Sequence, residues 1–248
     1  MIRAGSWVAV SGRNNHPSVL GGKGGEMVLA IRKQTLSSHV SNEVRLAILS
    51  GEIAPGEKIN LDNLRKKYGI SISPAREAVA RLVGTGLVEF ADQRGYRSTT
   101  LSTAELEDIV ALRITIETMA LRESIAHATL DWESKVMGAL HRLKRNAPPL
   151  AGGGVSKEWI AAYADFHLAL GPGAGNPLLR ACCLNLIERF SRYCNTTAGG
   201  AAPLHALGGE HDEIAKYAIA RDGEKACGAL AKHIQSVGAC LLALFEVN

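Results

Sequence analysis

Apolar residues between Leu101 and the C-terminus recur with the period of an α-helix, and no stretch of that region alternates as a strand would. Short stretches rich in Gly, Pro, Asn or Asp, such as NAPPLAGGG at 146–154, interrupt the pattern and end its helices. This pattern predicts an all-α bundle over residues 102–248. The predicted helices cover 102–129, 131–146, 156–171, 177–194, 205–221 and 223–246.

Residues 36–101 carry a different pattern, in which three short helices precede a hairpin. HVSNEVRLAILS at 39–50 has one apolar helical face, and further helices are predicted at 61–68 and 73–82, on either side of a turn at Gly69. GLVEF and YRSTT then alternate around the turn ADQRG. This arrangement is a winged helix-turn-helix. The chain is therefore predicted to be mainly α, with this domain preceding the helical bundle.

Charge is distributed unevenly along the 248 residues. Residues 1–100 carry fourteen Lys and Arg against eight Asp and Glu, a net charge of +6, whereas residues 101–248 carry −2. A basic N-terminal part favours a polyanionic partner. Residues 1–35 are rich in Gly, Ser and Asn, and we predict a flexible tail there; a start codon assigned too far upstream would explain this segment equally well.

The five cysteines are odd in number and include no CxxC pair, which indicates neither a disulfide framework nor a zinc knuckle. We expect reduced thiols in a cytoplasmic protein. No apolar run approaches the roughly 18 to 20 residues that span a bilayer, and the N-terminus lacks a compact signal-peptide h-region. The sequence therefore predicts no membrane partner.

The third helix has an exposed, positively biased start. Pro74 has no N–H to donate and its φ suits a helix, so it fits a first turn whose N–H groups lack partners, and Ser71 or Ser73 can cap that end. A helix in the major groove contacts bases through its first turns, while short hydroxyls, cations and backbone amides hold phosphates. We therefore predict that Ser71, Ser73 and Arg76 contact DNA.

Several segments together carry a family resemblance. They are ILSGEIAPGEKI at 48–59, YGISISPAREAVARLVGTGLVE at 68–89, RGY at 94–96, LRITIE at 112–117, FHLAL followed by GNPLL, and EHDEIAKYAIARDGEKACGALAKHI at 210–234. In these segments the chain resembles GntR-superfamily transcription regulators of the FadR type, whose C-terminal domain is called FCD. The resemblance implies three partners: double-stranded operator DNA, a second copy of the chain, and a small carboxylate metabolite in the bundle.

The resemblance identifies Arg76 as the recognition-helix arginine, which can read guanine O6 and N7. A salt bridge of Arg76 within the domain is the alternative. Ile72 stands where relatives commonly have arginine, and Asp62 where some relatives use arginine against DNA, so we expect an operator that differs from the common one. Other candidates for contact with phosphate or the minor groove are Arg65, Lys66, Arg94 and Gly95. The lysines of the short helix are equally explained as a solvated face.

Three of the eight histidines lie on apolar faces of three different predicted helices: His167, His211 and His233. A lone inward histidine is usually a satisfied core residue, but three in one bundle favour convergence on a metal. Neutral imidazoles suit a divalent transition metal of the zinc or nickel class. The alternative is a polar cluster that binds the effector directly.

The resemblance indicates the same three histidines as metal ligands and adds an aspartate four residues before the first. Tyr163 occupies that position here. Asp165 is close in sequence, but two residues rotate a helical side chain by about 200°, so Asp165 points elsewhere. Either water or effector oxygen supplies the fourth donor, or metal binding is weakened or absent. Tyr163 becomes a candidate for effector contact.

Arg113 also lies on an apolar stripe, with Glu117 one turn later. A buried arginine requires an anion. Either Glu117 satisfies it completely, or Arg113 keeps donors that hold an effector carboxylate.

These features predict a transcription regulator whose operator affinity is controlled by a small carboxylate, and not an enzyme. A metal-dependent enzyme using the three-histidine site is the first alternative, although the sequence offers no obvious general base beside it. An architectural DNA binder without an effector is the second, but it would need neither interior histidines nor an interior arginine.

Overall fold

The computed structural model describes residues 23–147, 156–171, 176–196 and 208–246. The N-terminal domain contains three helices and a hairpin. They are α1 (Lys23–Leu49), α2 (Leu61–Tyr68), α3 (Ile72–Val83), β1 (Val88–Ala91) and β2 (Gly95–Ser98). Two helices around a tight turn, followed by an antiparallel hairpin, confirm the predicted winged helix-turn-helix.

The C-terminal domain is helical throughout its described residues, as predicted. Its helices are α4 (Thr103–Ala126), α5 (Leu130–Arg145), α6 (Lys157–Leu170), α7 (Pro177–Thr196), α8 (Gly208–Ile219) and α9 (Gly223–Glu246). Central helix α4 contacts α6, α7, α8 and α9. The predicted linkers are NAPPLAGGG at 146–154, GPGAGNP at 171–177 and NTTAGGAAP at 195–203, and most of each lies outside the described residues.

Local capping explains where several helices begin. Ser102, Thr129 and Ser156 each precede a helix in extended conformation, and each side chain accepts a hydrogen bond from the backbone N–H three residues later. Asn60 caps α2 in the same way, and Gly69 ends it with a left-handed φ of 63°. These residues satisfy N–H groups that have no partner inside the helix.

The first helix begins earlier than the sequence predicts. Residues 1–35 are predicted to be a tail, whereas α1 runs from Lys23, so residues 23–35 are helical. The segment from Glu26 to Gln34 contains mainly good helix formers, so the glycines before it do not prevent helix formation. Residues 1–22 of the predicted tail lie outside the described residues.

The hairpin pairs β1 and β2 with Ala91 opposite Gly95, which leaves residues 92–94 as the connection. Gln93 and Gly95 both have positive φ, 62° and 77°. Gly95 therefore belongs to the first pair of the hairpin and not to its predicted tip. Arg94 lies in the tip and is exposed.

Helix α7 joins the two domains through polar contacts. Asn185 Nδ2 donates to the carbonyl of Thr85 at 2.7 Å, and Arg192 donates to Ser98 Oγ at 3.2 Å. Both acceptors lie in the winged domain, while α7 packs against α4 and α6 in the bundle. Helix α7 thus contacts both the bundle and the DNA-binding domain, and the ion pair of Lys157 in α6 with Glu52 at 2.9 Å adds a second link.

One described helix segment, Gly223–Phe245 in α9, is long and apolar enough to pass a length and composition test for a membrane span. Its buried face packs against α4 and α8. A core helix passes the same test, and α9 has this role in the bundle.

Helices α4 and α9 approach so closely that only glycine fits at position 238. A Cβ on Gly238 would lie 2.5 Å from Cγ2 of Val110, whereas a Cβ on Gly228 of the same helix would have no atom within 4 Å. We expect Gly238→Ala to lower the free energy of unfolding by about 1–3 kcal/mol because of overpacking. Gly228→Ala is the matched control, with an expected gain of up to about 1 kcal/mol from helix propensity. Urea denaturation measures both, and equal effects would contradict the predicted clash.

Candidate functional site

The start of α3 presents its outward face to solvent. Ser71, Ile72 and Ser73 are exposed, whereas Pro74 and Ala75 are buried against the domain. Ser71 occupies the N-cap position, but its side chain makes no capping hydrogen bond. The predicted cap is therefore wrong for Ser71, and its hydroxyl can donate to a partner outside the chain.

The two arginines of α3 have different surroundings. Arg81 donates to Glu77 Oε1 at 2.6 Å and to Ser38 Oγ at 3.1 Å. Arg76 is exposed and forms no hydrogen bond or ion pair within the part of the chain that the structure describes. It lines a groove of about 530 Å³ together with Arg94. The alternative of an intradomain salt bridge for Arg76 therefore finds no support among its described neighbours.

The other residues predicted to face DNA lie on α2 and in the hairpin. Arg65 pairs with Asp62 at 3.0 Å, and both side chains are exposed. Lys66 is exposed on the same short helix, and Gly95 lines the groove at the start of β2. The negative Asp62 thus offsets the charge of Arg65 while leaving Lys66 unpaired among the described residues.

Inside the bundle, α6, α8 and α9 bring His167, His211 and His233 together. One ring nitrogen from each lies within 4.8 Å of the others, and all three residues are buried. The predicted convergence of these side chains is therefore present in the structure. This arrangement can hold one metal ion, because three imidazole nitrogens from three helices form a common ligand set.

Each of these histidines has its Nδ1 fixed by an oxygen acceptor. His167 Nδ1 lies 2.6 Å from Glu117 Oε2, and His233 Nδ1 lies 2.8 Å from Glu210 Oε2. The His211 Nδ1 lies 3.2 Å from the carbonyl of Gly208. Because oxygen acceptors place the proton on Nδ1, each Nε2 keeps a free lone pair. All three Nε2 atoms are buried and have no hydrogen-bond partner in the described structure.

Burial keeps two of these rings neutral, those of His167 and His211. It lowers the pKa of His167 to about 4, although the nearby Glu117 carboxylate opposes the shift. Burial, together with the charges that His233 and His167 would carry, also places the pKa of His211 well below its usual range. Neutral rings with an orphaned Nε2 fit a transition metal, because metal ligation requires that lone pair.

Arg113 is fully buried next to this cluster. Its Nε donates to Glu117 Oε1 at 2.6 Å, one of its terminal nitrogens donates to Tyr163 Oη at 3.1 Å, and its guanidinium lies over the ring of Phe190 at 4.4 Å. Burial opposes the charge of Glu117, but Arg113 and His167 outweigh it and lower the pKa of Glu117 to about 2. Glu117 is therefore ionised and shared between an arginine and a histidine.

Tyr163 points its hydroxyl at Arg113, and its ring packs 4.4 Å from that of His167. Burial raises the pKa of Tyr163 to about 12, so the phenol stays neutral. Asp165 is exposed and lies 3.9 Å from Arg142 on the bundle surface. As the helical rotation predicts, Asp165 does not join the histidines.

Sequence reasoning missed three members of this site: Glu210, the Gly208 carbonyl and Phe190. Glu210 directly precedes His211, so its sequence position was a weak signal, but its partner is His233 on another helix. The contact of Phe190 with Arg113 crosses from α7 to α4 and leaves no pattern in either helix.

Comparison with known proteins identifies the family to which the chain belongs. A model described as the FCD domain matches residues 108–236, more than half of the chain. A second, described as bacterial regulatory proteins of the gntR family, matches residues 36–97. The chain belongs to the GntR family. It combines the DNA-binding domain of that family with an FCD domain and is a DNA-binding transcription regulator.

The matches between this GntR-family regulator and several relatives extend over most of both chains. The HTH-type transcriptional regulator BphR of Paraburkholderia xenovorans is 31% identical over 198 residues, which cover 78% of this chain and 80% of BphR. The HTH-type transcriptional repressor GlaR of Escherichia coli is 28% identical over 191 residues, with 75% and 87% covered. The solved structure of E. coli McbR has the same fold, with a TM-score of 0.70 at 21% identity and coverage of 85% and 98%.

The buried charge pair generates a stability prediction. Glu117→Gln removes the carboxylate that compensates Arg113, so we expect the free energy of unfolding to fall by about 3 kcal/mol or more. Glu123→Gln, at an exposed position of the same helix, is the control, with an expected change within about 0.5 kcal/mol. Urea denaturation at neutral pH measures both variants. Similar values for the two would mean that Arg113 does not depend on Glu117.

Proposed function

We propose that this GntR-family regulator is a cytoplasmic homodimer that binds one divalent transition metal and changes its operator affinity when a small carboxylate enters the FCD bundle. The observation that carries this proposal is a fully buried arginine beside three histidines whose Nε2 atoms have no partner among the described residues. Such groups are costly to bury without a ligand.

The three histidines would be the protein ligands of the metal. Their Nδ1 atoms are fixed by Glu117, Glu210 and a backbone carbonyl, which orients the rings before the metal arrives. Zinc or nickel suits neutral nitrogen donors. When bound, the metal supplies a position for an oxygen atom of the effector. Tyr163, at the position where the family resemblance implies an aspartate, contributes a neutral hydroxyl that already accepts a hydrogen bond from Arg113.

Arg113 would bind the carboxylate of the effector. One of its nitrogens lies 3.3 Å from His167 Nδ1. That Nδ1 carries a proton and donates it in a hydrogen bond to Glu117, so it cannot accept a hydrogen bond from Arg113. Of the five guanidinium N–H donors, only those to Glu117 and Tyr163 therefore have acceptors among the described residues. The remaining donors can form charge-assisted hydrogen bonds with a carboxylate, with Tyr163 beside it.

The proposed DNA contacts follow from exposure and charge. Arg76 would read a base, while Ser71, Ser73, Lys66 and Arg94 would hold phosphates around it. Gly95 lines the groove with Arg76 and Arg94, and Arg65 is exposed on α2.

A second copy of the chain would supply the other half of a palindromic operator, because one recognition helix reads few base pairs. Leu112 and Met119 lie on one face of α4 and are 49% and 51% exposed. Exposed apolar side chains seven residues apart on a helix are typical of an interface. They support a homodimer that is formed in part by the FCD domain.

Helix α7 would transmit the effect of effector binding from the bundle to the DNA-binding domain. Its Phe190 ring lies against the Arg113 guanidinium, and two turns of the same helix carry the contacts to the winged domain. An effector that binds better to one position of α7 would bias the placement of the paired DNA-binding domains.

Arg76→Ala tests the DNA-binding surface. We expect the operator to bind more weakly by about 1–3 kcal/mol per half-site, with relaxed preference at one guanine, because the bidentate contact is lost. Arg81→Ala on the same helix is the matched control and should change little, since Arg81 is engaged with Glu77 and Ser38. Fluorescence anisotropy on a selected operator measures both. A wild-type footprint and affinity for Arg76→Ala would contradict the assignment.

His211→Ala tests the metal. Elemental analysis of protein purified without a histidine tag or chelator should find about one metal per chain, and His211→Ala should lose most of it. His141→Ala, at an exposed position of α5, should retain the metal.

The same preparations test the effector. In a thermal-shift screen of small carboxylates, a specific effector should raise the melting temperature of the metal-containing protein and alter operator affinity. Metal-free protein with an unchanged response would contradict the metal proposal and favour histidines that bind the effector directly. Turnover of the carboxylate would instead support an enzyme.

A further inference from the structure

Ile72, the first residue of α3, exposes an apolar side chain at the start of the proposed recognition helix. Its side chain is 40% exposed. The opposite side of the same turn is anchored, since Ser37 Oγ donates to the carbonyl of Pro74 at 3.4 Å and Ala75 is completely buried. The orientation of the turn is therefore fixed, and Ile72 faces outward.

The chemistry of Ile72 limits what it can contact on DNA. An isoleucine side chain neither donates nor accepts hydrogen bonds, so it cannot hold a phosphate or pair with a polar base edge. In the major groove, the apolar group on the base edges is the C5-methyl of thymine. Packing against that methyl removes apolar surface of both partners from water.

Arg76 follows Ile72 by four residues, so the two side chains lie on one face of α3, separated by about 6 Å along the helix axis. That rise corresponds to about two base-pair steps of 3.4 Å. Resting on the proposed base contact of Arg76, we propose that Ile72 reads a thymine by its 5-methyl group, within about two base pairs of the guanine that Arg76 would read. Ile72 is then a specificity-determining residue of the operator complex, and a thymine adds to the guanine contact in each half-site.

The test removes one methyl group from the DNA and the matching side chain from the protein. An operator is first selected from randomised duplexes with the wild-type protein, and Arg76→Ala locates the guanine. Each thymine is then replaced singly by deoxyuridine, which lacks only the 5-methyl group. We expect one thymine per half-site, near that guanine, at which deoxyuridine weakens wild-type binding about 4-fold.

The Ile72→Ala protein should bind the thymine operator about 4-fold per half-site more weakly than wild type and should be indifferent to deoxyuridine at that position, because the pair has lost its coupling. Val83→Ala changes another exposed apolar residue at the opposite end of α3 and should keep the full deoxyuridine effect. The proposal is overturned if Ile72→Ala shows the wild-type loss with deoxyuridine, or if no thymine near the guanine is sensitive in the wild-type complex.

Discussion

The buried ion pair between Arg113 and Glu117 is the constraint on which the interior of this regulator depends. A guanidinium with no solvent exposure requires an anion, and Glu117 supplies it at 2.6 Å from the next turn of α4. The second oxygen of the same carboxylate fixes the ring of His167. One side chain therefore both compensates the charge of the arginine and orients a candidate metal ligand.

That constraint also links the interior to the DNA-binding domain. Phe190 of α7 packs against the Arg113 guanidinium, and the same helix reaches the winged domain through Asn185 and Arg192. Helix α7 therefore contacts both the buried guanidinium and the DNA-binding domain. Such an element can carry a change of position, because a packed helix moves as a unit.

On the surface proposed to face DNA, the decisive property is which side chains already have partners within the chain. Arg81 and Arg65 have carboxylate partners, whereas Arg76 has none among the described residues. Ile72 adds an apolar group where hydrogen bonding would otherwise be expected. The free groups at the start of α3 are therefore one cation, two hydroxyls and one apolar side chain, a combination suited to reading bases as well as phosphates.

Helical periodicity in the sequence determined the two-domain, mainly helical fold, the inward direction of the three histidines, and the Arg113 and Glu117 pair, because these depend on positions within single helices. Only the tertiary structure decided that Glu117 also binds His167, that Glu210 reaches His233, and that Arg76 has no partner among the described residues. It also corrected the capping role of Ser71 and the start of α1. The physical reason is that periodicity fixes the direction of a side chain around its own helix axis, whereas distances between helices and side-chain rotamers are set by packing.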